Sequence, residues 1–181
     1  LIWSLGPVSG AHFNPAVTLV AASRRELALS EGGLYVVAQV LGAVAGTVVA
    51  HLMYGLPAIT ASTHVRTGAG QWLGEVVATA GLLSLIGALT RTGKGRLGPA
   101  LVPAWIGAAY FFTSSTSFAN PAVTIGRSVT DSFSGIAPGS VLGFVAAQLV
   151  GAALGAALTE LFHPRTGIPE PLDLPAPVHE R

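Results

Sequence analysis

The tripeptide Asn-Pro-Ala occurs twice in this chain, at Asn14-Pro15-Ala16 and at Asn120-Pro121-Ala122, each time followed by Val-Thr and an aliphatic residue. Some two dozen residues beyond each copy comes a second shared pattern, Ala38-Gln39-x-x-Gly42-Ala43-x-x-Gly46 and then Ala147-Gln148-x-x-Gly151-Ala152-x-x-Gly155. A single Asn-Pro marks only a turn or a helix start. A tripeptide and a helical pattern duplicated together mark an internal repeat, so the chain must fold as two copies of one unit.

Composition fixes the solvent of that fold. The chain is 51% hydrophobic and 9% charged, with a mean hydropathy of +0.64. Soluble domains average roughly 25% charged residues, so this chain cannot cover a soluble surface and reads as a membrane protein. A net charge of +1 gives no sign of a nucleic-acid partner. With no Cys, disulfides, thiolate metal sites and a Cys nucleophile are excluded. One Lys against eight Arg, with abundant Ala and Gly, leans towards a bacterial source and hence the bacterial inner membrane.

Four segments approach the roughly 20 apolar residues that a membrane helix needs: 33–54, 71–89, 97–113 and 141–162. The third has Pro99 and Pro103 near its start and a polar end at Thr113 to Ser117. Segments 11–22 and 118–129, which carry the tripeptides, are apolar but only half a span long, a length typical of re-entrant pieces. Pro suits the first helical position and Asn is a strong N-cap, so each tripeptide predicts the start of a short helix capped by its Asn. With three spans between them, the two short helices enter from opposite faces, as in an inverted repeat whose half-helices meet near the bilayer midplane. Arg24, Arg25, Arg91, Lys94, Arg96, Arg165 and Arg181 then fall on one face, and Arg66 and Arg127 on the other. Positive charge is retained inside, which places the first group and the C-terminus in the cytoplasm of a multi-pass plasma-membrane protein. The tail 163–181, with five of the twelve prolines, is expected to be disordered. Measured against the second repeat, the first lacks about a span and a half ahead of Asn14. The chain is therefore expected to be an N-terminally truncated fragment that does not conduct alone.

Two half-helix N-termini meeting in the membrane each present the equivalent of roughly +0.5 charge. That field opposes cations, while Asn amide groups left over from capping can donate to a neutral solute. Selectivity of this kind is among the handles that channel pores use.

The sequence Ser9-Gly10-Ala11-His12-Phe13-Asn14-Pro15-Ala16-Val17-Thr18, the second tripeptide and Glu75-x-x-x-Thr79 resemble the aquaporin, or major intrinsic protein, family over about residues 4–162. The resemblance implies an all-α channel domain over 1–162 with an inverted repeat of membrane helices and two re-entrant half-helices. It implies a passive, homotetrameric channel in the lipid bilayer for small neutral solutes, with no cofactor and no enzymatic activity. The pore residues would be Asn14, Pro15, Ala16, Asn120, Pro121 and Ala122. Family members usually carry Arg three residues after the second Asn, and this chain has Val123. The matching filter positions are Ser117 and Ala108, and a fourth lies ahead of the chain's first residue. A wider, less polar filter follows, suited to water, glycerol-like polyols and neutral arsenic acids. The alternative, in another class, is a non-conducting structural or assembly protein of the same fold.

Arg127, one helical turn beyond Val123, either reaches back to the outer mouth or turns to the interface to pair with Asp131. Glu75 is expected to accept N–H groups of a half-helix loop, and Gln39 and Gln148 to brace half-helix backbone. Gly42, Gly46, Gly151 and Gly155 form small-x-x-x-small faces for packing inside the subunit. His12 offers a carbonyl or its ring to the inner mouth or a loop hydrogen bond, and His51, His64, His163 and His179 lack metal-ligand spacing. The run Thr113 to Ser117 has no Gly-x-Ser-x-Gly elbow and no evident base, which opposes an intramembrane hydrolase.

Overall fold

A computed structural model describes residues 1–165 of the protein; Arg181, His179 and most of the tail expected to be disordered lie outside the described residues. The helices are α1 (Ile2–Ser9), α2 (Pro15–Ser23), α3 (Leu29–Met53), α4 (Ala69–Arg91), α5 (Gly98–Phe112), α6 (Pro121–Gly126) and α7 (Pro138–Phe162). Single 3₁₀ turns at Gly95–Leu97 and Arg127–Val129 precede α5 and follow α6. Among the described residues there is no strand. The fold is the all-helical repeat that the sequence predicts.

Helices α3, α4 and α7 are each long and apolar enough to cross a membrane, spanning about 35–38 Å at 1.5 Å per residue. Helix α5 lies within one residue of the expected segment at each end, but its 15 residues fall short of the roughly 20 that a membrane helix needs. Its end is set at Thr113, which turns extended (φ −102°, ψ 143°) and feeds the left-handed residues Thr116 and Ser117. Helix α1, to which the sequence reading assigned no element, closes on Gly10 in the left-handed conformation (φ 71°), whose N–H reaches the Gly6 carbonyl. That is a common helix stop.

The repeat is visible in the packing. Each half-helix, α2 and α6, lies against both α3 and α7. The most extensive helix pair is α4 with α7. Between these elements the core is rich in small side chains: Ala16 and Ala119 from the two Asn-Pro-Ala regions, with Ala78, Ala109 and Ala152, joined by Leu82 and Leu83. Small residues let backbones approach closely, which is how helices associate where lipid removes the hydrophobic incentive. Trp105 of α5 fills the space that the missing side chain of Gly81 leaves in α4, and its indole N–H donates to the Ala78 carbonyl at 2.9 Å. Large apolar side chains point outwards, as at Leu34 (72% exposed) and Leu142 (78% exposed). Such surface is a liability in water and an asset in lipid.

The two glycine faces behave differently. On α7, a Cβ at Gly151 would lie 2.6 Å from the Val76 carbonyl oxygen, and one at Gly155 would lie 2.5 Å from the Ala80 carbonyl oxygen. These are backbone atoms of α4. The equivalent Gly42 and Gly46 on α3 have no neighbour within 4 Å among the described residues, so only the α7 face serves the close contact that the repeat pattern led us to expect of both.

The charged residues gather at opposite ends. Glu160 of α7 pairs with Arg91 and, at 3.5 Å, with Arg24, and Arg165 approaches Glu26 at 3.9 Å. Arg66 and Arg127 meet at the other end, over Phe118.

Helix α7 cannot accept a side chain at Gly151 without moving α4, and overpacking of this kind costs about 1–3 kcal/mol. Gly151→Val should therefore lower the thermal unfolding midpoint of detergent-solubilised protein. Gly139→Ala, at an open position of the same helix, should stay within about 0.5 kcal/mol of the parent.

Candidate functional site

The Asn residues are capped and cross-linked in a reciprocal way. Asn14 is extended (φ −153°, ψ 119°) and its side-chain oxygen accepts the N–H of Ala16 at 2.9 Å. Asn120 repeats this (φ −159°, ψ 112°), accepting from Ala122 at 3.0 Å and Val123 at 3.3 Å. Each amide nitrogen then reaches across to the other repeat. Asn14 Nδ2 donates to the Ala119 carbonyl at 2.8 Å, and Asn120 Nδ2 donates to the Phe13 carbonyl at 2.8 Å. Those acceptors occupy the same place in each repeat, one residue before the Asn. Of the two hydrogens on each NH2 group, one is thus committed to the opposite loop and one is left; the sequence reading left the whole amide free.

The loops that supply these carbonyls are strained in the same register. Ala11 and Phe13 have φ of 49° and 47°, and Ser117 and Ala119 have φ of 44° and 48°. These positions stand three residues and one residue before each Asn. A left-handed non-glycine residue costs roughly 1–2 kcal/mol, so the surrounding bonds must impose the conformation.

Glu75 imposes it in the second repeat. Fully buried, its carboxylate accepts the N–H of Phe118 and of Ala119, both at 2.8 Å, and Gln148 Nε2 at 2.6 Å. Gln148 also donates to Thr124 Oγ1 at 2.8 Å, and Thr124 donates to the Asn120 carbonyl at 2.9 Å. In the first repeat Gln39 donates to Thr18 Oγ1 at 2.9 Å, and Thr18 to the Asn14 carbonyl at 3.2 Å. The glutamines therefore grip the half-helices through a threonine hydroxyl rather than through backbone. His12 joins the same threonine, its Nδ1 lying 3.1 Å from Thr18 Oγ1.

Asn14 and Asn120 both line a cavity of about 430 Å³ that continues past His12 to Arg24, Glu26 and Arg91. Pro15, Ala16, Pro121 and Ala122 are buried behind them as the first turns of the half-helices. A second cavity, about 400 Å³, is lined by Val123 and Arg127 together with Thr47, His51, Tyr54 and Thr130. His51 is buried and bonded at both ring nitrogens, to the Pro57 carbonyl and to Thr130 Oγ1. Among the described residues no group of three or more His, Asp or Glu gathers as a metal site.

The sequence has clear relatives. Residues 1–119 match the family described as Major intrinsic protein. The chain belongs to the major intrinsic protein family. It is similar to the aquaglyceroporin AqpS of Rhizobium meliloti (strain 1021), at 54% identity over 87% of this chain and 67% of the relative. It is also similar to the probable aquaporin PIP2-7 of Oryza sativa subsp. japonica, at 35% identity over 71% of this chain and 50% of the relative. A shorter match reaches aquaporin-5 of Homo sapiens, at 39% over 38% of this chain and 25% of the relative. The chain thus spans about two thirds of the rhizobial relative and half of the rice one. The family is one of membrane channels, not enzymes.

The three expected filter positions are not gathered in one cavity. Ala108 lies on the exposed side of α5, Ser117 is buried, and Val123 lines the second cavity. The Ser117 hydroxyl is buried with no hydrogen-bond partner among the described residues. Arg127 does not pair with Asp131. Its guanidinium lies 4.3 Å from the centroid of the Phe118 ring, while Asp131 accepts from Thr63 N–H at 2.7 Å and Thr63 Oγ1 at 2.9 Å. Those two bonds, the backbone one first, hold the Asp131 carboxyl below the usual carboxylate range. Two contributors were missed. The paired threonines Thr18 and Thr124 were present in the repeated Val-Thr but went unassigned. Arg66 had no sequence signal beyond its side of the membrane.

Removing the Glu75 carboxylate would leave three buried donors without an acceptor, at about 1–3 kcal/mol each. Glu75→Ala should lower the thermal midpoint far more than Gln39→Ala, which removes one donor from the Thr18 hydroxyl oxygen. Equal losses in differential scanning fluorimetry would show that Glu75 does not organise the second loop.

Proposed function

We propose that the chain forms the pore-bearing part of a passive channel for small uncharged solutes. The observation that carries this reading is the reciprocal Asn14–Ala119 and Asn120–Phe13 bonding at a cavity wall. It holds two helix N-termini face to face, with one amide hydrogen of each Asn left to donate. A solute oxygen can accept those hydrogens, while the two positive helix ends repel hydronium and metal cations. On this reading Val123 borders the outer constriction, and Arg127 contributes charge at the outer mouth. Arg24, Arg91 and Glu160 then frame the cytoplasmic end, the C-terminus is cytoplasmic, and the protein is a homotetramer in a bacterial inner membrane.

The solute class follows from Val123. A Val at this position makes a wider and less polar constriction than one bounded by a fixed guanidinium. Glycerol-sized polyols and neutral arsenic acids are therefore favoured over a filter narrowed to water, and a relative with 54% identity is named an aquaglyceroporin.

The test is stopped-flow flux into proteoliposomes carrying the native polypeptide. Water, glycerol and arsenite flux above empty liposomes is expected. Val123→Arg should cut glycerol flux at least about tenfold, equivalent to about 1.4 kcal/mol of barrier, while water flux falls much less. Flux no greater than in empty liposomes would favour a non-conducting structural protein instead.

A further inference from the structure

The segment joining α3 to α4 is laid down as a strap. Thr60 N–H donates to the Val129 carbonyl and Ser62 N–H to the Ser128 carbonyl, both at 3.0 Å. Ala137 N–H donates back to the His64 carbonyl at 2.7 Å, and Thr63 is bonded to Asp131. Arg66 is the last anchor. Its own N–H donates to Ser140 Oγ at 3.1 Å, its Nε to the Gly135 carbonyl at 2.7 Å, and its Nη2 to the Phe133 carbonyl at 3.0 Å. The strap thereby sets the Arg66 guanidinium 5.2 Å from the centroid of the Phe118 ring, the same ring that Arg127 covers at 4.3 Å.

Phe118 is not a remote platform. Its N–H is held by Glu75, it is the second residue before Asn120, and it follows the filter position Ser117 directly. Its ring is buried against Phe144 and Ile136, so the two guanidiniums are held on the half-helix loop itself. Neither has a carboxylate within salt-bridge distance among the described residues. Burial first, then the neighbouring Arg127, push Arg66 down from its ordinary value, with Glu75 acting the other way; the guanidinium stays protonated in any case. Two like charges gathered at one ring need a reason, because their mutual repulsion is avoidable at an open surface.

We propose that Arg66, delivered by the α3–α4 strap and paired with Arg127 over Phe118, is a charge-selectivity determinant that supplies at the channel entrance the positive potential which Val123 cannot. The inference rests on the channel reading above. Its logic is a division of labour. At Val123 a guanidinium would both narrow the path and repel cations. Moved outward onto Phe118, the charge is kept and the width is released. A bulky neutral solute then passes a wide constriction, while a cation meets two fixed positive charges before it reaches the half-helix field. Coulomb repulsion acts over such distances where solvent screening is weak, so contact with the solute is not required.

The experiment measures the ratio of potassium leak to glycerol flux in proteoliposomes carrying the native polypeptide. Arg66→Ala/Arg127→Ala should raise the ratio about tenfold, and either single change should raise it less. Arg66→Lys/Arg127→Lys preserves charge while losing the forked bonds to Gly135 and Phe133, so it should hold the ratio within about threefold of the parent. An unchanged ratio in the alanine pair overturns the proposal. So does a lysine pair that leaks as much as the alanine pair, since that shows the arginines only anchor the strap. Absence of glycerol flux in the parent would instead overturn the channel reading, and this inference with it.

Discussion

Everything in this fold depends on two short loops that could not hold their shape alone. Each presents a left-handed residue immediately before its Asn and another two residues earlier. Each exposes a carbonyl that lipid could not satisfy. The solution is mutual. Asn14 satisfies the Ala119 carbonyl and Asn120 satisfies the Phe13 carbonyl, so neither loop is stable without the other. The same two side chains cap the half-helices through their oxygens. An Asn does both because its amide carries an acceptor and two donors on one rigid plane. Asp would lack the donors and Ser would lack the reach.

A second layer fixes the half-helices to the long helices. Thr18 and Thr124, four residues after each Asn, are met by Gln39 and Gln148 from α3 and α7. Glu75 adds a carboxylate that gathers the second loop and Gln148 together. Buried networks of this kind are costly when incomplete and rigid when complete. Around them α4 and α7 approach closely, with Gly151 and Gly155 set against the Val76 and Ala80 carbonyls.

Much of this was legible in the sequence, and the reason is periodicity. The doubled tripeptide, the Pro at the first helical position and the doubled Ala-Gln-x-x-Gly-Ala pattern locate α2, α3, α6 and α7 to within a few residues. The segregation of basic residues agrees with which charged groups meet at each end. What could not be read were contacts whose partners have no fixed spacing. The cross-repeat bonds join residues 105 and 107 positions apart, and their acceptors are backbone carbonyls, which carry no sequence signature. Helix α5 is located to within one residue at each end, but its 15 residues fall short of the roughly 20 of a membrane span. For Arg127 the sequence offers the outer mouth or a pairing with Asp131, and its guanidinium lies over the Phe118 ring, a partner that a charge-pairing argument does not consider.

Where selectivity resides follows from which of these features can vary independently. The half-helix ends derive their positive potential from backbone, so no substitution at Val123 removes it. On the channel reading, the width beside them depends on Val123, whose side chain carries no structural bond: among the described residues it takes part only through its backbone, its N–H donating to Asn120 and its carbonyl accepting from Arg127. A chain built in this way can change the solute it favours without disturbing the bonds that hold the loops. The converse does not hold. Changing Asn14, Asn120 or Glu75 alters geometry and potential together, because the groups that would exclude cations are the groups that keep the fold closed. On the channel reading, solute choice is therefore the freely adjustable property and cation exclusion the constrained one.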